Sequence, residues 1–313
     1  MPRGLDHIVH AVRDLDAAGA LYERLGFKVG ARNRHAWGTH NRLVQIPGFY
    51  VELLTVAEPE KLGTDGFSVL FGAFNQTFLQ KGEGLSMLLL ASDDAALDAT
   101  AFRGAGIAAS GAMRFEREGR RADGSAVRVA FSLAFAKSAG AGEAGFAVCE
   151  HHFPENLWSP ELQDHANSAV GIAGVVLVAE NPSEHRTFLS AYTGERAVLD
   201  TSTGVVAKTP RGEIEVKDRA AFANDFGVEP PETSGSARLV ALRFIVRDVT
   251  KAAAALRRGK IAAVEQVDRL VVGPSAAMGA TLVFETSRGR AVDPETVPTH
   301  GPSRQDSGTH GEG

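Results

Sequence analysis

Read by the period of its apolar positions, the chain repeats one short pattern four times. Residues 5–12 (LDHIVHAV) alternate as a strand does, and Asp14 to Leu25 follows with Leu15, Ala18, Leu21, Tyr22 and Leu25 at helical spacing. Asp14 or Asp16 is placed to cap that helix and Gly26 to stop it. Three strand candidates come next: Phe27 to Ala31, Asn41 to Ile46 and Phe49 to Val56, the last two joined across Pro47-Gly48. The order is βαβββ. A second copy runs from Leu85 to Ala91, through a helix at Ala95 to Arg103, into strands at Met113 to Glu118, Ala126 to Ala136 and Gly145 to His151. A third uses Ile172 to Ala179, a helix opened by Asn181-Pro182 and closed by Gly194, then Arg196 to Asp200, Gly204 to Lys208 and Glu213 to Lys217. The fourth uses Leu239 to Val246, the Ala-rich helix Thr250 to Arg258, and strands near Ala263 to Val267, Arg269 to Val272 and Thr281 to Glu285. An internal repeat of this kind bears on the fold class before any motif does.

The pattern predicts an α+β protein of two domains, each made of paired βαβββ modules. The N-terminal domain is expected over residues 1–152, with modules at 4–56 and 84–152. Pro154, Pro160 and polar residues mark 153–170 as a linker, and a second domain is expected over 171–290. Residues 291–313, rich in Pro, Gly, Ser and Thr and carrying His300 and His310, read as a disordered tail. The length of 313 residues agrees with two domains of about 150. A net charge of −5 (33 basic against 38 acidic residues) leaves no electrostatic footprint for nucleic acid. No signal-peptide core and no run of about 18 apolar residues is present, so the expectation is a cytoplasmic protein away from membranes, with a small molecule as its partner. The single cysteine, Cys149, excludes an internal disulfide and any zinc site built on several thiolates.

The first module carries a family likeness. LDHIVHAVRDLDAAGALYERLGF resembles the opening strand and helix of the vicinal oxygen chelate superfamily, which includes glyoxalase I, extradiol dioxygenases and many glyoxalase-like proteins. GFYVELL resembles its fourth strand, whose glutamate binds metal, and RHAWGTHN between them looks like a glyoxalase-like signature. The motif likeness is confined to residues 4–56, whereas the order of elements follows the family to about residue 290. The resemblance implies paired modules forming a half-open sheet around a divalent cation, which a substrate chelates through neighbouring oxygens.

The residues are consistent with that chemistry. Strict alternation puts Leu5, His7, Val9 and Ala11 on one face of the first strand and Tyr50, Glu52 and Leu54 on one face of the fourth. A histidine and a glutamate in otherwise apolar strands need partners, and a cation satisfies both. The alternative is a backbone hydrogen bond for His7 and an ion pair of Glu52 with Arg42. The family implies further ligands from the second module, but Met87 stands there where His7 stands in the first. Laying Gly145-Phe146 on Gly48-Phe49 puts Cys149 opposite Glu52 and turns His151 to the same face as a third ligand; a one-residue slip would offer Glu150 and His152 instead. His35 and Asn41, around the turn at Gly38-Thr39, are placed to bind substrate oxygens, and the ordinary pKa of imidazole makes His35 the candidate acid or base. Asn41 and Thr39 serve equally as turn-forming residues. Trp37 and Tyr50 are candidates for the pocket wall. No ligand-type residue stands at the matching positions of the third and fourth modules except Glu285, so the C-terminal half is expected to keep the architecture without the metal, as a cover, a homodimer surface or an apolar binding site.

Three functions follow in order. The first is a glyoxalase-like lyase or isomerase using zinc, nickel, manganese or ferrous iron. The second is a ferrous extradiol dioxygenase with His7, His151 and Glu52 as its ligands. The third is a metal-free protein that sequesters a small molecule, with Met87 as its main support.

Overall fold

A computed structural model describes residues 1–120, 125–233 and 235–287. The tail expected over 291–313 lies outside the described residues. The first module folds as β1 (Leu5–Ala11), α1 (Leu15–Arg24), β2 (Asn33–Arg34), β3 (Thr39–Ile46) and β4 (Phe49–Val56). A π-helical turn at Ser68–Ala73 and α2 (Phe74–Lys81) lead to the second: β5 (Gly84–Ala91), α3 (Ala95–Gly104), β6 (Ala108–Arg120), β7 (Ala126–Ala136) and β8 (Gly145–His151). The third comprises β9 (Ala169–Val178), α4 (Arg186–Thr193), β10 (Val198–Thr201), β11 (Gly204–Lys208) and β12 (Glu213–Lys217). After α5 (Arg219–Phe226) the fourth runs through β13 (Arg238–Val246), α6 (Val249–Arg258), β14 (Val264–Glu265), β15 (Arg269–Val272) and β16 (Thr281–Glu285). Among the described residues no helix is long and apolar enough to cross a membrane.

Two eight-stranded sheets result, ordered β2-β3-β4-β1-β5-β8-β7-β6 and β10-β11-β12-β9-β13-β16-β15-β14. Within a module the first strand pairs in parallel with the last, as β1 does with β4 and β5 with β8. A parallel pair needs a crossover, which the helix and middle strands supply. Modules join in pairs through antiparallel first strands, β1 with β5 and β9 with β13. The strand-to-helix corner repeats its chemistry too. Asp14, Asp94 and Asp248 each accept from two backbone N–H groups at the start of α1, α3 and α6, replacing hydrogen bonds that a helix terminus cannot make itself.

Some expected elements differ. Phe27 to Ala31 is not a strand: Phe27 turns into the core, its ring centre 4.9 Å from Phe244 and 5.9 Å from Phe284, and only Asn33–Arg34 joins the sheet. Gly30 still meets the sheet, its N–H donating to Leu43 O and its carbonyl accepting from Arg42 Nε. Helices α2 and α5 were not anticipated, because each buries only two residues and shows little amphipathic periodicity.

The module helices lie over one face of each sheet and merge there into a single apolar cluster that runs from Leu5 to Phe284. Tyr192 of α4 is fully buried in it and donates a hydrogen bond shared by Leu88 O and Ala147 O, in β5 and β8 of the other half. Gly26 (φ +90°) sits where a Cβ would lie 2.8 Å from Ala255 and 3.0 Å from Asn167, so the halves approach closely where a side chain is missing. The opposite faces hold two separate apolar groups. In the C-terminal sheet Phe222 and Phe226 of α5 fill this face; in the N-terminal sheet Phe67 and Phe71 of the π-helical turn cover it and leave a cavity beneath.

Two stability predictions follow from this packing. Tyr192→Phe removes a buried hydrogen bond between the halves and is expected to cost about 1–2 kcal/mol in equilibrium denaturation; an unchanged midpoint would show that the bond contributes nothing net. His10 is fully buried, accepting from the Tyr22 hydroxyl and donating to Met278 O at 2.9 Å each. Burial lowers its proton affinity, and that of His165 and His185. Because the folded pKa lies below the unfolded one, the neutral rings contribute fully above the unfolded value of about 6.5 and lose that contribution as pH falls below it. Denaturation midpoints are therefore expected to drop between pH about 7 and about 5, with a shallower drop in His10→Gln.

Candidate functional site

The cavity side of the N-terminal sheet is set by β1 and β4, whose parallel register places Val9 beside Glu52 and His7 beside Tyr50. β1 is not regular. Leu5 pairs with Leu90 and His7 with Leu89, so Asp6 is an extra residue in a bulge. In consequence Leu5 and Ile8 both face the helices, while His7 and Val9 face the cavity side. The even alternation expected for Leu5, His7, Val9 and Ala11 therefore breaks at its first step.

The bulge lets Asp6 reach its neighbour. Asp6 Oδ1 lies 2.5 Å from His7 Nδ1, and the other edge of the ring presents Nε2 3.9 Å from Glu52 Oε2. The hydrogen bond to Asp6 assigns the Nδ1–H tautomer, leaving the Nε2 lone pair directed at Glu52. Tyr50 stacks on the His7 ring, centroids 4.3 Å apart, and fixes its plane. Glu52 accepts from Asn41 Nδ2 at 2.5 Å, and Asn41 is in turn held by Asn33. Arg42 takes no part: its Nε donates to Gly30 O.

The two acids are driven apart. Burial by itself would raise Asp6, but His151 and His7 outweigh it and hold the carboxyl well below the ordinary range. Burial raises Glu52, and His7, Asn41 and Arg117 only partly offset it. One carboxylate is firmly ionised and its neighbour is primed to hold a proton or a cation.

The second module turns Cys149 and His151 to the cavity side of the sheet. β8 pairs with β7 so that Leu133 meets Cys149 and Phe131 meets His151. Cys149 lines the cavity. His151 faces the same side but sits behind Asp6, its Nε2 3.0 Å from that carboxylate, with Nδ1 buried and without a partner among the described residues. Glu150 and His152 are on the opposite face and are not ligands: Glu150 accepts from Ala95 N at the start of α3, and His152 bonds Ser132 Oγ. The one-residue slip is excluded by this register. Met87 lies among the apolar residues of the cavity side, its sulfur accepting from Asn75.

His35 lines both cavities. Burial, with the charges of Arg117 and His40, pushes its pKa down to about 3. Its Nδ1 is 2.8 Å from Thr39 Oγ1 and its ring stacks on Trp37.

The cavity is small, about 40 Å³, with His7, Asn41, Glu52 and Cys149 among its polar lining and Trp37, Tyr50, Phe67, Phe71, Phe115 and Phe131 as aromatic walls. A wider one of about 310 Å³ adjoins it, sharing His35, Trp37, Phe115 and Arg117. A divalent cation fits the donor set. Atoms of Asp6, His7 and Cys149 lie within 4.8 Å of one another; Glu52 is outside that group, but its Oε2 lies 3.9 Å from His7 Nε2, half an ångström more than the roughly 3.4 Å edge of a tetrahedral zinc site. Asp6 and Asn41 are the outer-shell carboxylate and amide that such ligands ordinarily require. Cys149, whose thiol burial pushes well above its usual value, is the residue a cation would have to deprotonate.

The corresponding face of the C-terminal sheet holds an ion network instead. Arg243 bonds Glu213, Glu215 and Glu285, and Lys217 bonds Glu215 and Asp225. Glu285, which resembles Glu52 in sequence, is thus neutralised by arginine. Two residues escaped the sequence reading. Asp6 is visible there only as an acid inside an apolar strand, and Arg117 is one of many alternating charges in RFEREGR.

The sequence profile of the glyoxalase-like domain matches residues 5–193. No curated protein matches the chain. Among solved structures, a hypothetical protein from Staphylococcus aureus superposes with a TM-score of 0.62 at 15% identity, over 91% of this chain and 100% of that one. A mutant 4-hydroxymandelate synthase from Streptomyces coelicolor gives 0.56 at 11% identity, over 93% and 95%. A fusion of a xylose isomerase-like TIM barrel with a 4-hydroxyphenylpyruvate dioxygenase gives 0.54 at 12% identity, over 95% of this chain and 51% of that one. At these identities the structures share the fold, and with a profile match over more than half its length the chain belongs to the glyoxalase-like domain family, within the vicinal oxygen chelate superfamily.

Proposed function

We propose that the protein is a divalent-metal-dependent glyoxalase-like enzyme, of lyase or isomerase type, whose small substrate presents vicinal oxygens to the cation. The observation that carries this reading is the chain from Asp6 through His7 to Glu52 and Asn41, four buried polar side chains in one line at the wall of an aromatic cavity. Burying such a set is costly unless its charges are used, and a cation between His7 Nε2 and Glu52, with Cys149 as third donor, uses them. Nitrogen, oxygen and sulfur together favour zinc, nickel or ferrous iron over manganese.

A bound cation would supply Lewis acidity toward the substrate's oxygens. The remaining work falls to the chain itself. Asp6 retains the proton on His7 Nδ1 and keeps Nε2 a donor of electrons. Asn41 holds Glu52 Oε1 and leaves Oε2 toward His7. The aromatic walls exclude water, which strengthens every charge interaction within. The dioxygenase reading requires His7, His151 and Glu52 around one point, and His151 is engaged with Asp6 instead. The metal-free reading draws on Met87, which offers no hard donor.

Elemental analysis of untagged protein purified without chelators, and calorimetric titration with zinc, nickel, manganese and ferrous ions, test the proposal. About one cation per chain is expected, with His7→Ala and Glu52→Gln abolishing tight binding and Asp6→Asn weakening it about 10- to 100-fold. Wild-type protein that carries no cation and takes up none would favour the metal-free reading. Oxygen uptake on catechols by the iron-loaded protein would favour the dioxygenase.

A further inference from the structure

We infer that Arg117 and Trp37 form an anion subsite at the junction of the two cavities, so that the substrate carries a carboxylate; this rests on the reading of the cavity as a substrate site. Along β6 Arg114 and Glu116 alternate with Phe115 and Arg117, and Glu116, which also borders the wider cavity, pairs with Arg114 and Arg128. Phe115 and Arg117 line the cavities. Arg117 is thus a guanidinium set in an aromatic wall. Among the described residues no carboxylate comes within ion-pair distance of it, its Nε is buried without a partner, and its one hydrogen bond goes to Glu118 O at 3.2 Å. Arg243 in the C-terminal sheet shows the contrast at its terminal nitrogens, which pair with three glutamates although its Nε too is buried without a partner among the described residues.

A second observation points the same way. The Trp37 indole Nε1 is also buried and without a partner among the described residues, and Trp37, like Arg117, lines both cavities. Two unsatisfied donors on one shared wall call for an acceptor, since each costs desolvation energy until it is paired. The charge around the wider cavity agrees. Lys61 is matched by Glu58 and Glu116 by arginines, whereas Arg34 has no partner among the described residues. The excess there is positive. Glu52 acts on Arg117 through its charge across the cavity but makes no hydrogen bond or ion pair with it among the described residues, being held by Asn41 and faced by His7. A carboxylate suits the planar guanidinium, which can bind both of its oxygens. Size then orders the substrate: the reacting oxygens enter the inner cavity of about 40 Å³, the carboxylate rests on Arg117, and the apolar remainder lies in the wider space against Trp37 and Phe115.

Salicylate and salicylamide serve as probes, matched in shape and phenolic oxygen but differing in charge. In calorimetric titrations wild-type protein is expected to prefer salicylate by about tenfold or more. Arg117→Gln should bring the two within about twofold, Arg117→Lys should keep part of the preference, and Trp37→Phe should weaken salicylate severalfold. Metal-free His7→Ala protein should retain the preference, which separates this subsite from the metal proposal. Wild-type protein that binds both probes alike or neither, or a preference that survives in a folded Arg117→Gln variant, would overturn the inference. If Arg117→Gln does not fold, a full wild-type preference in Arg117→Lys, together with no effect of Trp37→Phe, would do the same.

Discussion

The contact between Asp6 and His7 depends on one irregularity, the bulge at the start of β1, and the rest of the site is arranged around it. In an even strand adjacent residues point to opposite faces and could not meet. The extra residue turns both polar side chains toward the cavity and restores Ile8 to the helical side, so the apolar core continues without a break. From that contact follow the tautomer of His7, the direction of Nε2, the role of Glu52, and the use of His151 as a support for Asp6 rather than as a member of the cavity wall.

The two halves of the molecule show two answers to one problem. Each places acidic side chains on the inner face of a curled sheet, where an unpaired charge is costly. The C-terminal half answers with Arg243, shared among three glutamates, and with the rings of Phe222 and Phe226. The N-terminal half leaves Glu52 with an amide and an imidazole and keeps a cavity before it. Of the two inner faces, the N-terminal one keeps its buried carboxylate free of a direct ion pair with arginine or lysine among the described residues. The closed half supports it through the shared helical layer, where Tyr192 and the close approach at Gly26 bind the two sheets together.

The repeat was legible in the chain because it rests on local rules. Alternation marked β1, β4 and β8, and the aspartates at 14, 94 and 248 marked the helix starts, since strand period and capping need no distant partner. His7 and Glu52 were legible because two ionisable groups in apolar strands are rare. Elements decided by tertiary packing were not: Phe27 reads as strand but is drawn into the core by Phe244 and Phe284, and α2 and α5 carry too little periodicity to announce themselves.

What the sequence determined alone was therefore the module order, the sheet-forming strands and the half of the chain in which the polar cluster lies. Only the tertiary structure decided which polar groups meet. A bulge shifts a strand by one residue, and one residue is the whole difference between core and cavity, so Asp6 could be placed only once β5 was paired beside it. Likewise β7 selects Cys149 and His151 over Glu150 and His152, and burial lowers the proton affinity of His35. Arg117 stands out only in the folded space, where among the described residues no carboxylate pairs with it directly.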